Sequence, residues 1–214
     1  MRGIPAKLRL LVIVQRGACA SIRKKRDKMK LRMAILALTA VTLTGCASFV
    51  APTYSPDYPS IDRLKLAQLG KVAVGEFQPR SPEAPVNKIS LRGAAFVSSN
   101  GSFAQYLEDA IRSDLTELKV LDPKAETRID ATLLKNDIDV SGINTGEGFM
   151  DVRLSVIKRG QTVHDKIYSA KTQFESSFAA AVAVPKGQSE YPRLVRTLLQ
   201  TIYADPAFIT AVKP

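Results

Sequence analysis

Residues 150–156 constrain the fold most. Met150, Val152, Leu154 and Val156 alternate with Asp151, Arg153 and Ser155, the period-two pattern of a strand buried on one face and wet on the other. A sheet with one apolar face needs a second layer over it, and helices are the usual cover in a chain of mixed pattern. Two segments can supply them. Asn100-Gly101 makes a turn, and Ser102-Phe103-Ala104-Gln105 then has the S-x-x-Q form of a capping box, in which hydroxyl and amide side chains satisfy orphan backbone donors. Phe103, Leu107, Ala110, Ile111, Leu115 and Leu118 follow at helical spacing, and the run ends before Asp122-Pro123. Further on, Pro192 suits the first turn of a helix whose Leu194, Val195, Leu198, Leu199 and Ile202 form an apolar stripe, and Asp205-Pro206 opens a short last helix.

The rest of the sheet is read in the same way. Residues 71–77 form a first strand, followed by a Pro-rich turn over 78–85. Residues 87–97 are a second strand region that Gly93-Ala94-Ala95 weakens. Residues 128–140 place Ile129, Ala131 and Leu133 on one side, and the change of phase near Leu134 predicts a bulge. Lys158-Arg159-Gly160-Gln161 closes a tight hairpin into a strand over 162–174, and the small residues of 176–188 read as a loop. The expectation is an α+β fold, a mainly antiparallel sheet with two principal helices packed on one face.

The charge of this 214-residue chain is +11, but it is not spread evenly. Residues 1–32 hold eleven Lys and Arg against one acid, Asp27; from Cys46 onward twenty basic residues face nineteen acidic ones. The excess therefore belongs to a leader, and a nucleic-acid surface on the body of the protein loses its support. Residues 29–32 (MKLR) form a basic n-region, residues 33–42 (MAILALTAVT) an uncharged apolar run, and Leu43, Thr44, Gly45 and Cys46 follow at once. Ten apolar residues are too few to span a bilayer, which takes about 20, so the run reads as the h-region of a cleaved signal. Three methionines, Met1, Met29 and Met33, are available as starts; Met29 gives an ordinary n-region, with residues 1–28 then upstream of the translated chain. A long leader from Met1 is the alternative.

This pattern resembles bacterial lipoprotein precursors. The resemblance implies that Leu43, Thr44 and Gly45 form a lipobox and that Cys46 carries a covalent diacylglycerol and an N-acyl chain. Ala47 and Ser48 are not the acidic residue that marks inner-membrane retention in such proteins, which implies the inner leaflet of the outer membrane with the domain in the periplasm. Cys19 leaves with the leader, so the mature chain has no pair of thiols to join. The expected organisation is a leader over 1–45, a lipidated Pro-rich tether over 46–60 and a single α+β domain over 61–214. Pro52, Pro56 and Pro59 favour an extended tether, while a segment lying across its own domain is the other reading.

From about residue 71 to residue 213 the chain resembles the YajG-like group of outer-membrane lipoproteins and, more loosely, auxiliary lipoproteins of ABC-type lipid transport systems. The likeness rests on the helix over 103–118, the RGQ turn, the strand ending YSAKTQFES and the closing helix followed by DPAF. Those families offer no catalytic residues to carry over.

The residues themselves give little chemistry. His164 is the single histidine and no free thiol accompanies it, so a zinc site lacks ligands. Asp165 adjoins His164, but neighbours on a strand point to opposite faces, so it is badly placed to orient the ring. Asp137 and Asp139 share one strand face, too few ligands for calcium. Residues 142–148 (GINTGEG) resemble a phosphate loop but join two strands and lack the Lys-Ser/Thr that would follow. As a long hairpin loop they offer Asn144, Thr145 and Glu147 as partner contacts. The apolar run over 176–184, and Tyr191 with Tyr203, are further candidates for apolar contact. The reading is a non-enzymatic protein with no cofactor or metal, held on the membrane by its lipid, that binds or scaffolds an envelope assembly, with lipid transport as one such assembly. The alternatives are an activator of cell-wall synthases and a periplasmic hydrolase using His164.

Overall fold

The computed structural model describes residues 48–214; the leader, the lipobox and Cys46 lie outside the described residues. In chain order the elements are β1 (Ser48–Val50), α1 (Tyr58–Leu66), β2 (Ala73–Gln78), β3 (Ile89–Leu91), β4 (Ala94–Val97), α2 (Phe103–Glu117), β5 (Thr127–Asp139), β6 (Thr145–Lys158), β7 (Gln161–Glu175), α3 (Ala180–Tyr203) and α4 (Pro206–Val212). They form a four-stranded sheet, β2-β5-β6-β7, and a small sheet, β1-β4-β3. The β5–β6–β7 meander is antiparallel; β2 joins β5, and β1 joins β4, in parallel. The α+β class read from the sequence is the one observed.

Two tight turns set the hairpins. Lys158 pairs with Gln161 and Leu91 with Ala94, leaving Arg159-Gly160 and Arg92-Gly93 as two-residue loops. Both residues of each loop have positive φ, at 50° and 79° and at 52° and 85°, which is the turn whose twist matches paired strands. The Gly93 that weakened a strand reading is thus the hinge of a hairpin. The bulge foreseen near Leu134 is present, since the β5–β6 register shifts between Leu133 and Lys135. Before it Ile129, Ala131 and Leu133 face the core, and after it Asn136 and Ile138 do.

The inner face of β6 is Met150, Val152, Leu154 and Val156, all fully buried. Helix α2 lies over the β2–β5 half of the sheet and α3 over β6 and β7. Ser102 caps α2 as expected, its hydroxyl accepting from Gln105 N at 3.1 Å. The neighbouring donor, Phe103 N, goes to Asn87 Oδ1 at 2.9 Å. The Asn87 amide in turn donates to the carbonyls of Pro79 and Ser81, so one buried amide ties the Pro-rich loop to the start of the helix.

Two expectations are corrected. Residues 176–188 are not all loop, because α3 begins at Ala180 and runs through Pro185 and Pro192. Ala183, Val184, Gly187, Tyr191, Leu194, Val195, Leu198, Leu199 and Ile202 are all buried at helical spacing, and this packing outweighs two residues that each lack a helical N–H. Gly187 is required there: a Cβ would collide with Val140 of the loop after β5. Residues 48–60 are not an extended tether. β1 pairs with β4, Ala51 is buried, Tyr106 donates to the Pro52 carbonyl at 2.7 Å, and Asp57 caps α1 by accepting from Ser60 N at 3.1 Å. Pro59 sits in the first turn of that helix, where a missing N–H is harmless.

Beneath α3 the core has an aromatic end and an acidic end. At the first, the Tyr191 ring packs against Phe103, Tyr106 and Phe96 with centroids 4.8, 5.3 and 5.5 Å away, and its hydroxyl donates to Asn136 Oδ1 at 3.2 Å. At the second, Asp114 of α2 is 1% exposed and accepts from Tyr203 at 2.8 Å and from Tyr54 at 3.0 Å. Burial pushes the Asp114 carboxyl up to about 6, against the pull of both phenols.

Candidate functional site

At the end of the sheet where β5 passes to β6, the side chain of Arg92 reaches out from the β3–β4 turn. Its guanidinium donates to five backbone carbonyls: Val140 at 2.9 Å, Ser177 at 3.1 Å, Gly142 at 3.2 Å, Phe178 at 3.3 Å and Ser141 at 3.4 Å. One planar cation therefore fastens the β5–β6 loop to the segment that enters α3, a task suited to its fixed fork of donors. Within the loop, Ser141 N donates to Asp139 Oδ1 at 2.7 Å, and the Ser141 contacts hold the Asp139 carboxyl below its ordinary range. Gly142 turns so tightly that a Cβ would strike the Thr145 carbonyl. Ser176 N closes the arrangement on the Asn144 carbonyl at 2.9 Å.

The residues expected to contact a partner are divided by this geometry. Asn144 stands exposed in the loop, and Thr145 is exposed at the first position of β6, opposite Glu175. Glu147 lies two residues into β6, where its carboxylate pairs across the sheet with Lys171 at 3.0 Å. Lys171 and Lys135 also flank the Phe149 ring at 4.9 and 4.7 Å, so the open face of the sheet is a lattice of paired charges around one aromatic ring. What the loop and the segment entering α3 add to these is apolar. Ile143 is 67% exposed, Phe178 77% and Val182 57%. Phe178 and Val182 belong to the run at 176–184 marked from the sequence, while Ile143 carried no signal beyond lying in the loop. Tyr191 and Tyr203, also marked, are core.

His164 is half-buried on β7, its Nε2 2.9 Å from the Tyr168 hydroxyl. Tyr168 donates to Asp205 Oδ2 at 2.7 Å, as does Lys166 at 2.7 Å, while Asp205 Oδ1 accepts from Ala207 N at 2.8 Å to cap α4. These donors, Lys166 foremost, hold the Asp205 carboxyl well below the usual range, and burial pushes the Tyr168 phenol up. Asp165 points to the other face, where Arg153 and Ser155 hold it down to about 2. It takes no part in orienting His164, as strand geometry requires. Beside this chain of bonds an open groove of about 1050 Å³ runs between β7, α1 and α3, lined by Asp57, Arg63, Lys166, Tyr168, Gln200 and Asp205. Asp57 and Asp205 both spend oxygens on capping helices, so the groove's carboxylates serve the fold. Asp137 and Asp139 share the wet face of β5 as expected. Among the described residues no group of three His, Cys, Asp or Glu side chains converges as a metal site, and no helix is long and apolar enough to cross a membrane.

No family model matches the chain, and no curated protein matches it. Solved structures similar to it include protein XCC0632 from Xanthomonas campestris, described under the family model DUF330. That structure is 12% identical, with 72% of this chain and 93% of that chain covered and a TM-score of 0.46. Protein CT253 from Chlamydia trachomatis is 15% identical over 67% of this chain and 99% of that one, at a TM-score of 0.40. A minor lipoprotein from Acinetobacter baumannii is 12% identical over 65% and 91%, at 0.39.

Proposed function

We propose that the mature chain is a lipoprotein held by acyl chains on Cys46 in the inner leaflet of the outer membrane, with its domain in the periplasm. There it binds or scaffolds an envelope assembly and performs no catalysis of its own. The observation that carries this reading is the order of basic n-region, ten-residue apolar run and Leu43-Thr44-Gly45-Cys46. Two or more acyl chains give an anchorage that a single chain does not. The binding role is supported by the Arg92-fastened loop, which presents Asn144 and Thr145 on a rigid base, and by a His164 whose ring nitrogen is engaged with Tyr168. Lipid transport is the assembly that the family resemblance favours.

The test is made in cells. Labelled palmitate is expected to enter the wild-type chain and not the Cys46→Ala variant, and the labelled protein should fractionate with the outer membrane. Crosslinking through a photoreactive residue at Thr145, followed by mass spectrometry, should then capture subunits of one transport complex. Capture of cell-wall synthases would move the role to their activation. An unlabelled chain, or one that fractionates with the inner membrane, would overturn the anchorage.

A further inference from the structure

The position of β1 fixes which end of the domain lies nearest to Cys46. β1 runs parallel to β4 with Ser48 opposite Ala95, and β4 begins at Ala94, directly after the Arg92-Gly93 turn. Ser48 is therefore next to that turn. Cys46 is two residues earlier along the chain, and two residues span at most about 7 Å. Arg92 in turn holds the carbonyls of 140–142 and 177–178. The anchor end of β1, the β5–β6 loop and the entry to α3 thus share one end of the domain, and this is the end that exposes Ile143, Phe178 and Val182.

Resting on the lipid anchorage proposed above, we infer that this end is seated on the membrane, with Ile143, Phe178 and Val182 entering the lipid interface beside the acyl chains. The occupant is a lipid surface because the span to Cys46 leaves little room for anything else there. Large apolar side chains displayed together at one end mark a contact surface, and apolar faces of interfacial proteins settle about 5–10 Å into the headgroup and acyl boundary. The clamp gives the loops a single arrangement, so the three side chains enter together. The opposite end, with the Arg159-Gly160 turn, then points into the periplasm: the fourteen residues of β6, at about 3.3 Å each, place it roughly 45 Å away.

The mature chain's one cysteine is consumed by the lipid, so an introduced cysteine is a unique attachment point. Lipidated protein carrying Ile143→Cys, Phe178→Cys or, at the far end, Lys124→Cys is labelled with an environment-sensitive fluorophore. It is then reconstituted into phosphatidylethanolamine–phosphatidylglycerol vesicles bearing a doxyl-labelled acyl chain. Labels at 143 and 178 are expected to lose most of their fluorescence and the label at 124 none. A Val182→Cys label should also be quenched, and should recover its fluorescence when Ile143→Ser and Phe178→Ser are combined with it, while the protein still floats with the vesicles. Failure of the unlabelled wild type to float would defeat the anchorage itself. Flotation with bright labels at 143 and 178 would overturn the seating alone, and protection of those positions from reagent only in living cells would assign this end to a protein instead.

Discussion

The two ends of the core beneath α3 bury tyrosine hydroxyls in different company. Around Tyr191 the neighbours are three aromatic rings and a neutral amide; around Tyr203 the partner is the carboxyl of Asp114, shared with Tyr54. The aromatic end gains from area and ring contact, which are indifferent to protons. The acidic end gains two directed bonds but places an ionisable group where its charge is poorly solvated. Both ends tie α3 to α2 and both hold the segment behind β1, the aromatic one through the Tyr106 bond to the Pro52 carbonyl and the acidic one through Tyr54 and an ionisable carboxyl. One architecture thus has a constant fastening and a fastening that responds to pH.

The aromatic end should prove the more costly to remove. Tyr191→Ala is expected to destabilise the domain by about 3–5 kcal/mol in urea denaturation, equally at pH 5 and pH 7. A loss below about 1 kcal/mol would deny that the ring cluster organises the core. At the acidic end the sign follows from the raised carboxyl. Between its ordinary value of 3.8 and about 6 the folded chain holds a proton that the unfolded chain has released. The stabilisation from Asp114 is therefore full below about pH 4 and is lost as pH rises through 6, by up to ~3 kcal/mol. Asp114→Asn should flatten that profile, and a profile unchanged by the substitution would remove the distinction between the two ends. The smallest effect is expected of Ser102→Ala, which takes the cap from α2 beside Phe103 and should lower stability by about 1 kcal/mol at every pH.

The sequence was most legible where one local rule acted alone. The alternation from Met150 to Val156, the capped start of α2 and the Arg159-Gly160 turn each declare their structure within a few residues. The bulge at Leu134 was also readable, because a slip of one residue exchanges the faces of everything after it. Legibility failed where two rules opposed each other. The small residues of 176–188 signal a loop and Pro192 a helix start, and α3 runs through both because its buried stripe packs on β6 and β7 and Gly187 lets it approach Val140. Pro56 and Pro59 signalled an extended tether, yet Asp57 and Pro59 together start α1. At the candidate site the loop was found from its composition. The clamp that shapes it was not, since nothing near Arg92 in the chain announces carbonyls some 50 and 86 residues away.

The pairing of β1 with β4 also decides how force would travel. On the lipid anchorage proposed above, a pull between the acyl chains and anything bound to the domain would enter at Ser48, and Ser48, Phe49 and Val50 would meet it first through their bonds to a parallel neighbour. Behind them in series stand the Tyr106 bond to Pro52 and the Tyr54 bond to Asp114. Tension on the domain would load these few bonds before it reached the sheet, and β1 would give way as a weak link that spares the core.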